Sequence, residues 1–238
     1  MNIVLFEEEE LERELPLGDE RAVHVLKVLR RQVGDDFDVG LIDGPRGRAT
    51  VKEILDTGLL LGFEWGEEEP ELLPIDLVVG LSRPQTMRKV LNEATTLGVR
   101  SIRFVVTDRG EPSYAESKLW STGEWRRHVL AGVAQAFTTR VPQVSWGMSL
   151  KEAAAELAGR ECRLALDNYE GTVRLAEACR GSGDLVLAIG SERGWTAAER
   201  DFLRSEGWTL AGMGDRVLRT ETAVVAAVAV ARELMGRA

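Results

Sequence analysis

The segment IGSERGWT at residues 189–196 carries residues that could form one wall of a ligand site. It follows an apolar run of strand length, 185–189, and Thr196 and Glu199 form a capping box that opens a helix. Glycines such as Gly190 and Gly194 let a ligand lie against bare backbone, and open α/β sheets bind ligands beyond the carboxyl ends of their strands. An ordinary strand-to-helix turn needs the same glycines, so this segment alone leaves both interpretations open.

A second glycine-bearing segment, GMGDRVLRTETA at residues 212–223, also follows a predicted strand and precedes a predicted helix. Arg216 and Arg219 lie three residues apart. Thr220 can cap the helix, and Glu221 would favour its positive N-terminal end. The alternative is a capped helix with surface arginines, but two such segments close in sequence favour a ligand site. Neither contains a dinucleotide fingerprint or a P-loop lysine, which argues against a nucleotide-dependent oxidoreductase.

Both segments lie in a stretch that alternates apolar runs with helical periodicity. This alternation predicts a mostly parallel sheet with helices on both faces, the α/β class. The predicted strands are 75–81, 102–107, 163–166, 185–189 and 208–211. The predicted helices are 85–97, 119–136, 149–157, 196–207 and 221–235.

The first seventy residues have a different pattern. Three alternating stretches, 36–42, 48–55 and 58–65, predict short strands, with a turn at 44–47. Asp19 can cap a helix that runs to about Arg31. Several short strands in so short a segment indicate a small barrel. The charged, proline-bounded stretch 65–74 is typical of a linker, so we predict domains at 1–70 and 71–238.

Composition narrows the class of protein. The 238 residues are 44% hydrophobic with a formal net charge of −9, which excludes a globally basic nucleic-acid coat but permits local basic patches. The N-terminus lacks the features of a signal peptide, and no apolar run reaches the roughly 18 residues that span a bilayer. The two cysteines, Cys162 and Cys179, have no metal-ligand or disulfide spacing and fit a reducing cytosol. We therefore expect a cytoplasmic protein without a metal.

The two glycine segments resemble the paired motifs of the ribosomal RNA small subunit methyltransferase E (RsmE) family. That family has IGPEGG-F/W-S/T-x-x-E and then LGxRILRTETA, where this sequence has IGSERGWTAAE at 189–199 and MGDRVLRTETA at 213–223. Further matches run in the same order along the chain: His24, Val28-Leu29-Arg30, Gly34-Asp35, Asp43-Gly44, Ala94-Thr95 and Leu97-Gly98-Val99.

The resemblance implies an S-adenosylmethionine-dependent enzyme that methylates N3 of a uridine in 16S ribosomal RNA. It implies a PUA-like RNA-binding β-barrel domain at 1–70 and a SPOUT methyltransferase domain at 71–238, with a C-terminal trefoil knot at about 185–238. It also implies a homodimer with each cofactor site near the subunit interface. Because the basic surface is modest, we expect the RNA partner to be bound within the assembled small ribosomal subunit.

Carried over residue by residue, the resemblance also implies a set of site residues. Arg219 and Glu221 would be the catalytic pair, with Arg219 steadying the uracil oxygens as N3 loses its proton. No general base is identified. The cofactor would be held by Ile189, Gly190, Glu192, Gly194, Met213, Gly214, Val217, Leu218 and Thr222.

Local clusters of arginine are candidate contacts to RNA phosphates, which position a protein without specifying sequence. Each cluster alone is more often a solvated surface than an RNA contact. The candidates are Arg30, Arg31, Arg46, Arg48, Arg83, Arg88 and Arg193.

Several positions depart from the family pattern. Ser191 stands where the family has proline, and Arg193 stands where it has glycine. The family's EQSGR reads AQAFT at 134–138, and in its KATELG motif the lysine is Glu93 and the glutamate is Thr96. These departures leave open a divergent RNA-binding relative on the same fold, with a different target or without methyltransferase activity.

Overall fold

The computed structural model describes residues 2–235. The chain divides into two compact units, Met1–Glu71 with Val133–Val141 and Leu72–Gly132 with Pro142–Ala238. The break between 71 and 72 falls inside the proline-bounded stretch 65–74. The segment 133–141 packs with the first unit, although its place in the sequence assigned it to the second domain. Among the described residues, no helix combines the length and apolarity needed to cross a membrane.

The first unit is built on a five-stranded sheet in the order β1-β3-β4-β5-β2. β1 is parallel to β3, and the other pairs are antiparallel. Alternate residues of the strands, such as Phe37, Val39, Ala49 and Val51, are fully or almost fully buried in its core. The strands are β1 Val4–Phe6, β2 Leu15–Pro16, β3 Asp36–Leu41, β4 Arg46–Ile54 and β5 Gly58–Trp65.

The helix predicted after Asp19 is shorter than the periodicity indicated. Asp19 caps it as expected, because its carboxylate accepts the Arg21 backbone N–H at 2.8 Å. The α-helix α1 covers only Glu20–Val23 and continues as a π-helical turn at His24–Val28. Arg30 then has a φ of 55°, a left-handed conformation that stops any further helical turn.

Residues 133–141 complete the first unit through a small set of polar contacts. The Ile3 N–H donates to the Ala134 carbonyl at 3.3 Å, and the Asp43 N–H donates to the Thr139 carbonyl at 2.9 Å. Asp43 in turn accepts the Val141 N–H at 2.8 Å through its carboxylate. Phe137 has a φ of 57°, so the segment turns sharply there.

The second unit contains a seven-stranded sheet, all parallel, in the order β10-β12-β9-β11-β6-β7-β8. This confirms the α/β class predicted from the alternation. Every residue of β11 is buried, so both faces of the sheet are covered at its centre. The strands are β6 Leu73–Gly80, β7 Val99–Val106, β8 Gln143–Ser149, β9 Cys162–Leu166, β10 Val173–Arg174, β11 Leu185–Ile189 and β12 Thr209–Gly212.

Helices pack against this sheet. Side chains of α5 and α7 join a core cluster with Val186 and Ala188 of β11, while α8 packs on α2 and β11. The predicted helix 119–136 is two helices, divided at Gly123 with its φ of 74°. The helices are α2 Pro84–Thr96, α3 Lys118–Ser121, α4 Glu124–Gln135, α5 Leu150–Glu156, α6 Leu175–Ala178, α7 Ala197–Ser205 and α8 Thr220–Leu234; a 3-10 turn, Pro112–Glu116, precedes α3.

The predicted cap of the last helix is wrong. Arg219 is the residue that precedes α8, and no side chain caps the helix there. Thr220 is the first helical residue and is buried, so its hydroxyl does not take the capping position. The first-turn amides of α8 are therefore not satisfied by a side-chain cap.

A buried carboxylate, Asp76 on β6, anchors several arginines beside the sheet. It accepts Arg100 Nη2 at 2.7 Å, Arg160 Nε at 2.9 Å and the Ser101 hydroxyl at 2.5 Å. Burial raises the pKa of Asp76, but these hydrogen bonds and the charge of Arg160 outweigh it, so its pKa lies below the ordinary value.

We predict that Asp76→Ala lowers the free energy of unfolding by about 3 kcal/mol at neutral pH, because Arg100 and Arg160 lose their buried carboxylate and keep only the more exposed Asp184 as a partner. Since the pKa of Asp76 is lowered on folding, its contribution is complete above the unfolded pKa and is lost as pH falls through the folded pKa. Urea unfolding at a series of pH values measures both effects. Asp201→Ala, which breaks an exposed pair with Arg204, is the control and should cost at most about 0.5 kcal/mol. Equal losses in the two variants would contradict the role of Asp76.

Candidate functional site

The loops that follow β6, β7, β9, β11 and β12 all leave the same edge of the sheet, because these strands are parallel. Both glycine segments of the sequence analysis lie at this edge, the first loop at 190–196 after β11 and the second loop at 213–219 after β12. The loop after β9, at 167–172, lies between them, since β9 pairs with both β11 and β12. This edge is the candidate site.

The first loop rests directly on the end of β6. A Cβ placed on Gly80 would overlap the backbone nitrogen of Ser191 and lie 2.9 Å from the carbonyl carbon of Gly190. Gly190 itself faces the backbone of Gly194, whose Cα would be 3.0 Å from a Cβ at Gly190. Gly194 has a φ of 64°, so the loop reverses there. The loop can therefore fold this tightly because glycine stands at the positions where backbone segments come into contact.

A backbone N–H from the loop after β6 and a side chain from the loop after β7 hold the first loop in place. The Arg83 N–H donates to the Glu192 carboxylate at 3.2 Å, and Arg109 Nη1 donates to the Arg193 carbonyl at 3.1 Å. The Glu192 carboxylate is therefore occupied by a backbone donor, while the Arg193 side chain remains exposed.

A closed ring of hydrogen bonds joins the first loop, α7 and Asp108. Thr196 N–H donates to Glu199 at 2.7 Å, and Glu199 N–H donates back to the Thr196 hydroxyl at 3.2 Å, which is the predicted capping box. The Thr196 hydroxyl donates to Asp108 at 2.8 Å, and the Asp108 N–H donates to Glu199 at 2.9 Å. The cap of α7 is thereby tied to the neighbouring loop.

The end of β9 and the loop after it contact the first loop and the end of β12. Trp195 of the first loop, fully buried, donates its indole N–H to the Leu166 carbonyl at 3.1 Å. A Cβ on Gly171 would lie 2.8 Å from the backbone nitrogen of Gly212, where the second loop begins. The first loop is therefore bonded to the end of β9, and the loop after β9 packs on the end of β12, where the second loop begins.

The second loop makes few contacts of its own. Among residues 2–235, no backbone N–H of residues 213–219 donates a hydrogen bond to the protein. Gly214 has a φ of 111°, and Val217 is 79% exposed, unusual for an apolar side chain. Free backbone donors beside an exposed apolar side chain are the features that a ligand with polar edges and an apolar face would satisfy.

A carboxylate and two cations lie at the start of α8. Glu221 pairs with Lys89 of α2 at 3.1 Å. Partial burial raises the pKa of Glu221, but its own backbone N–H and the charges of Lys89 and Arg219 outweigh burial and hold the pKa below its ordinary value. Glu221 is therefore ionised at neutral pH and is a poor place to hold a proton.

The structure brings the predicted cofactor residues to this edge. Ile189 and Gly190 are buried, Glu192 and Gly194 lie in the first loop, and Thr222 is exposed on α8. In the second loop, Gly214 and Val217 are exposed while the side chains of Met213 and Leu218 are half-buried. Of the catalytic candidates, Arg219 is the last residue of the second loop and Glu221 lies in the first turn of α8.

The predicted RNA-binding arginines have different surroundings. Three have carboxylate partners: Arg46 with Glu69, Arg48 with Asp38 at 3.2 Å, and Arg88 with Glu124 at 2.7 Å. The side chains of the other four, namely Arg30, Arg31, Arg83 and Arg193, make no hydrogen bond or ion pair with any residue in the described range. Of these four arginines, Arg83 and Arg193 lie at the candidate site.

Sequence reasoning missed two exposed side chains at the same edge. Arg109 follows β7, and Tyr169 follows β9. Their signal is positional, because each comes within a few residues of the carboxyl end of a central strand. A separate concave surface, lined by Cys162, Arg163, Glu177 and Thr209 among others, lies at the amino ends of β9 and β12 and holds none of the predicted site residues.

Comparison with known proteins identifies the family to which the chain belongs. A family model described as an RNA methyltransferase domain matches residues 68–232. A ribosomal RNA small subunit methyltransferase E from Treponema pallidum is 36% identical, over 97% of this chain and 90% of its own length. A ribosomal RNA small subunit methyltransferase E 1 from Borreliella burgdorferi is 25% identical, over 95% of each chain.

Solved structures share the fold over nearly the whole chain. A putative methyltransferase from Legionella pneumophila, in complex with S-adenosylmethionine, has a TM-score of 0.81 at 22% identity and covers 100% of each chain. A ribosomal RNA small subunit methyltransferase E from Neisseria gonorrhoeae, also bound to S-adenosylmethionine, has a TM-score of 0.76 at 24% identity and covers 98% of each chain. Together with the sequence matches, this places the chain in the ribosomal RNA small subunit methyltransferase E family, within the RNA methyltransferase domain proteins.

Proposed function

We propose that this chain transfers a methyl group from S-adenosylmethionine to N3 of a uridine in 16S ribosomal RNA. The observation that carries the proposal is the placement of the two glycine loops, at 190–196 and 213–219, at one edge of a parallel sheet, on either side of the loop after β9. Family membership supplies the reaction class, and relatives that are ribosomal RNA small subunit methyltransferases supply the small-subunit RNA.

We assign the two units to the family's two domains. The five-stranded first unit is the PUA-like RNA-binding domain, and the parallel second unit is the SPOUT domain with its trefoil knot at about 185–238. The assignment of the knot rests on the family's paired motifs, which this sequence carries at 189–199 and 213–223. The protein acts as a cytoplasmic homodimer.

The residues present fit S-adenosylmethionine. The free N–H groups of 213–219 can bind the polar edge of an adenine, and Met213, Val217 and Leu218 offer it an apolar surface. Gly190 and Gly194 keep the first loop narrow enough for a ligand to lie against its backbone. Ile189, Glu192, Gly214 and Thr222 complete the cradle.

When bound, the cofactor supplies an electrophilic methyl group on a sulfonium. The protein's task is to hold the uracil N3 in line with that methyl group, and positioning of this kind can supply much of the rate. As N3 loses its proton, negative charge grows on the neighbouring oxygens. Arg219 stabilises that charge, and ionised Glu221 fixes Lys89 beside it.

RNA would be gripped by cations at the same edge. Arg83 and Arg193 have side chains without partners among the described residues, as do Arg30 and Arg31 of the first unit. Arg46, Arg48 and Arg88 would have to exchange a carboxylate for a phosphate. With net charge −9, the chain binds its RNA within the assembled small subunit rather than as bare RNA.

The alternative function is RNA binding without methyl transfer. Arg193, which stands in the first loop where the family has glycine, favours it, because a long cation there can meet a phosphate. Its carbonyl is held by Arg109, so the loop itself is fixed. Methylation by the purified chain decides between the two.

We predict that Gly190→Val abolishes measurable S-adenosylmethionine binding while the chain stays folded. The added side chain would meet the backbone of Gly194 and Trp195, which cannot move aside like a flexible side chain. Calorimetric titration measures affinity, and circular dichroism measures folding. Gly159→Ala, at a glycine with open space around it, is the control and should bind normally. Wild-type affinity in Gly190→Val would rule out this placement of the cofactor.

We predict that Arg219→Ala lowers kcat by about 100-fold or more and changes the cofactor dissociation constant less than about threefold, because Arg219 acts on charge that develops only during the reaction. Single-turnover methylation of small ribosomal subunits, together with cofactor titration, separates the two quantities. Arg216→Ala, three residues earlier on the same loop, is the matched control. An Arg219→Ala variant that loses only cofactor affinity would show that the assigned role is wrong.

A further inference from the structure

Tyr169 is a large aromatic side chain that is 77% exposed in the loop after β9, between the two glycine loops. We propose that Tyr169 is a stacking platform for an unpaired base of the substrate RNA. This inference rests on the proposed function, because it concerns the RNA that the same site would modify.

The tyrosine is exposed but its loop is held firmly. The carboxylate of Asp167, itself buried, accepts the Tyr169 N–H at 2.8 Å and the Glu170 N–H at 2.6 Å. Its other oxygen accepts Arg200 Nε at 2.7 Å, and Arg200 is buried as well. Glu170 also pairs with Arg200 and Arg204 of α7. An aromatic ring on so fixed a backbone loses little entropy when a ligand binds.

The ring is also oriented. The guanidinium carbon of Arg200 lies 5.4 Å from the ring centroid of Tyr169, within the range of a cation–π contact. Arg200 covers one face, and the high exposure of the residue leaves the opposite face to solvent. A flat, open aromatic face backed by a cation is the kind of surface on which single-stranded bases stack.

The location explains why a base would be there. The Tyr169 loop lies between the two glycine loops: Trp195 of the first loop donates to Leu166 at the end of β9, and Gly171 packs on Gly212 at the end of β12, where the second loop begins. N3 of a paired uridine is hydrogen-bonded inside its base pair, so the reacting uridine must be unpaired. Unpairing leaves that base or its neighbour unstacked. An aromatic platform beside the reaction centre offsets part of that cost.

The exposure favours RNA over the adenine of the cofactor. Small-molecule sites bury most of their ligand in a concave surface, whereas Tyr169 stands out from its loop. A large ligand that approaches from solvent can use such a side chain. Contact with the cofactor is therefore the competing outcome of the test.

The experiment compares the full chain with Tyr169→Ala and Tyr169→Phe in two binding assays. Filter binding measures the dissociation constant for small ribosomal subunits that lack the modification, and calorimetry measures it for S-adenosylmethionine. We expect Tyr169→Ala to bind subunits at least about fivefold more weakly, Tyr169→Phe to stay within twofold of wild type, and cofactor affinity to be unchanged in both. The chain has one other tyrosine, the half-buried Tyr114, and Tyr114→Ala is the matched control for loss of a tyrosine.

Three results would overturn the proposal. These are unchanged subunit affinity in Tyr169→Ala, a loss in Tyr169→Phe equal to that in Tyr169→Ala, or a weakened cofactor affinity in Tyr169→Ala. Because binding is measured without turnover, the comparison decides on Tyr169 even where the wild-type chain fails to methylate. That failure would count against the proposed function alone.

Discussion

The site depends on backbones that meet where side chains are missing. The carboxyl end of β6 and the loop after β11 touch at Gly80 and Ser191, so closely that a single Cβ would force them apart. A similarly close backbone contact, also made possible by glycine, joins Gly171 in the loop after β9 to Gly212 at the end of β12. Because the strands are parallel and end at one edge, the loops that follow them lie side by side there.

Hydrogen bonds hold the loop after β11 in the conformation that its glycines make possible. The ring of Thr196, Glu199 and Asp108 ties the start of α7 to the loop after β7, and Arg109 holds the carbonyl of Arg193. The second loop has no comparable support, since its N–H groups at 213–219 find no acceptor within residues 2–235. One wall is therefore pre-organised and the other keeps donors available, a division that suits a protein binding a small cofactor against a rigid backbone.

Much of this arrangement was predictable from local sequence. The alternation of apolar runs gave the parallel class, β5 and β11 have the predicted bounds, and the capping box at Thr196 is present. The short strands β1, β2 and β10 and the edge strand β8 were missed, because each is brief or polar and is defined by its partner rather than its own pattern. The place of 133–141 in the first unit depends on contacts such as Asp43 with Val141, 98 residues apart, which no local pattern reveals. For the same reason, the ion pairs of Arg46 and Arg88 and the nearness of Tyr169 to both loops could not be read from spacing.

The central claim is that the edge formed by the two glycine loops is where a methyl group passes to RNA. The most direct measurement is mass-spectrometric mapping of 16S ribosomal RNA from cells with and without this chain, repeated after the purified chain and S-adenosylmethionine are added to subunits from the deficient cells. The account predicts one uridine with a methyl group at N3 that is absent without the chain and restored by it. Identical maps in all three samples would contradict it.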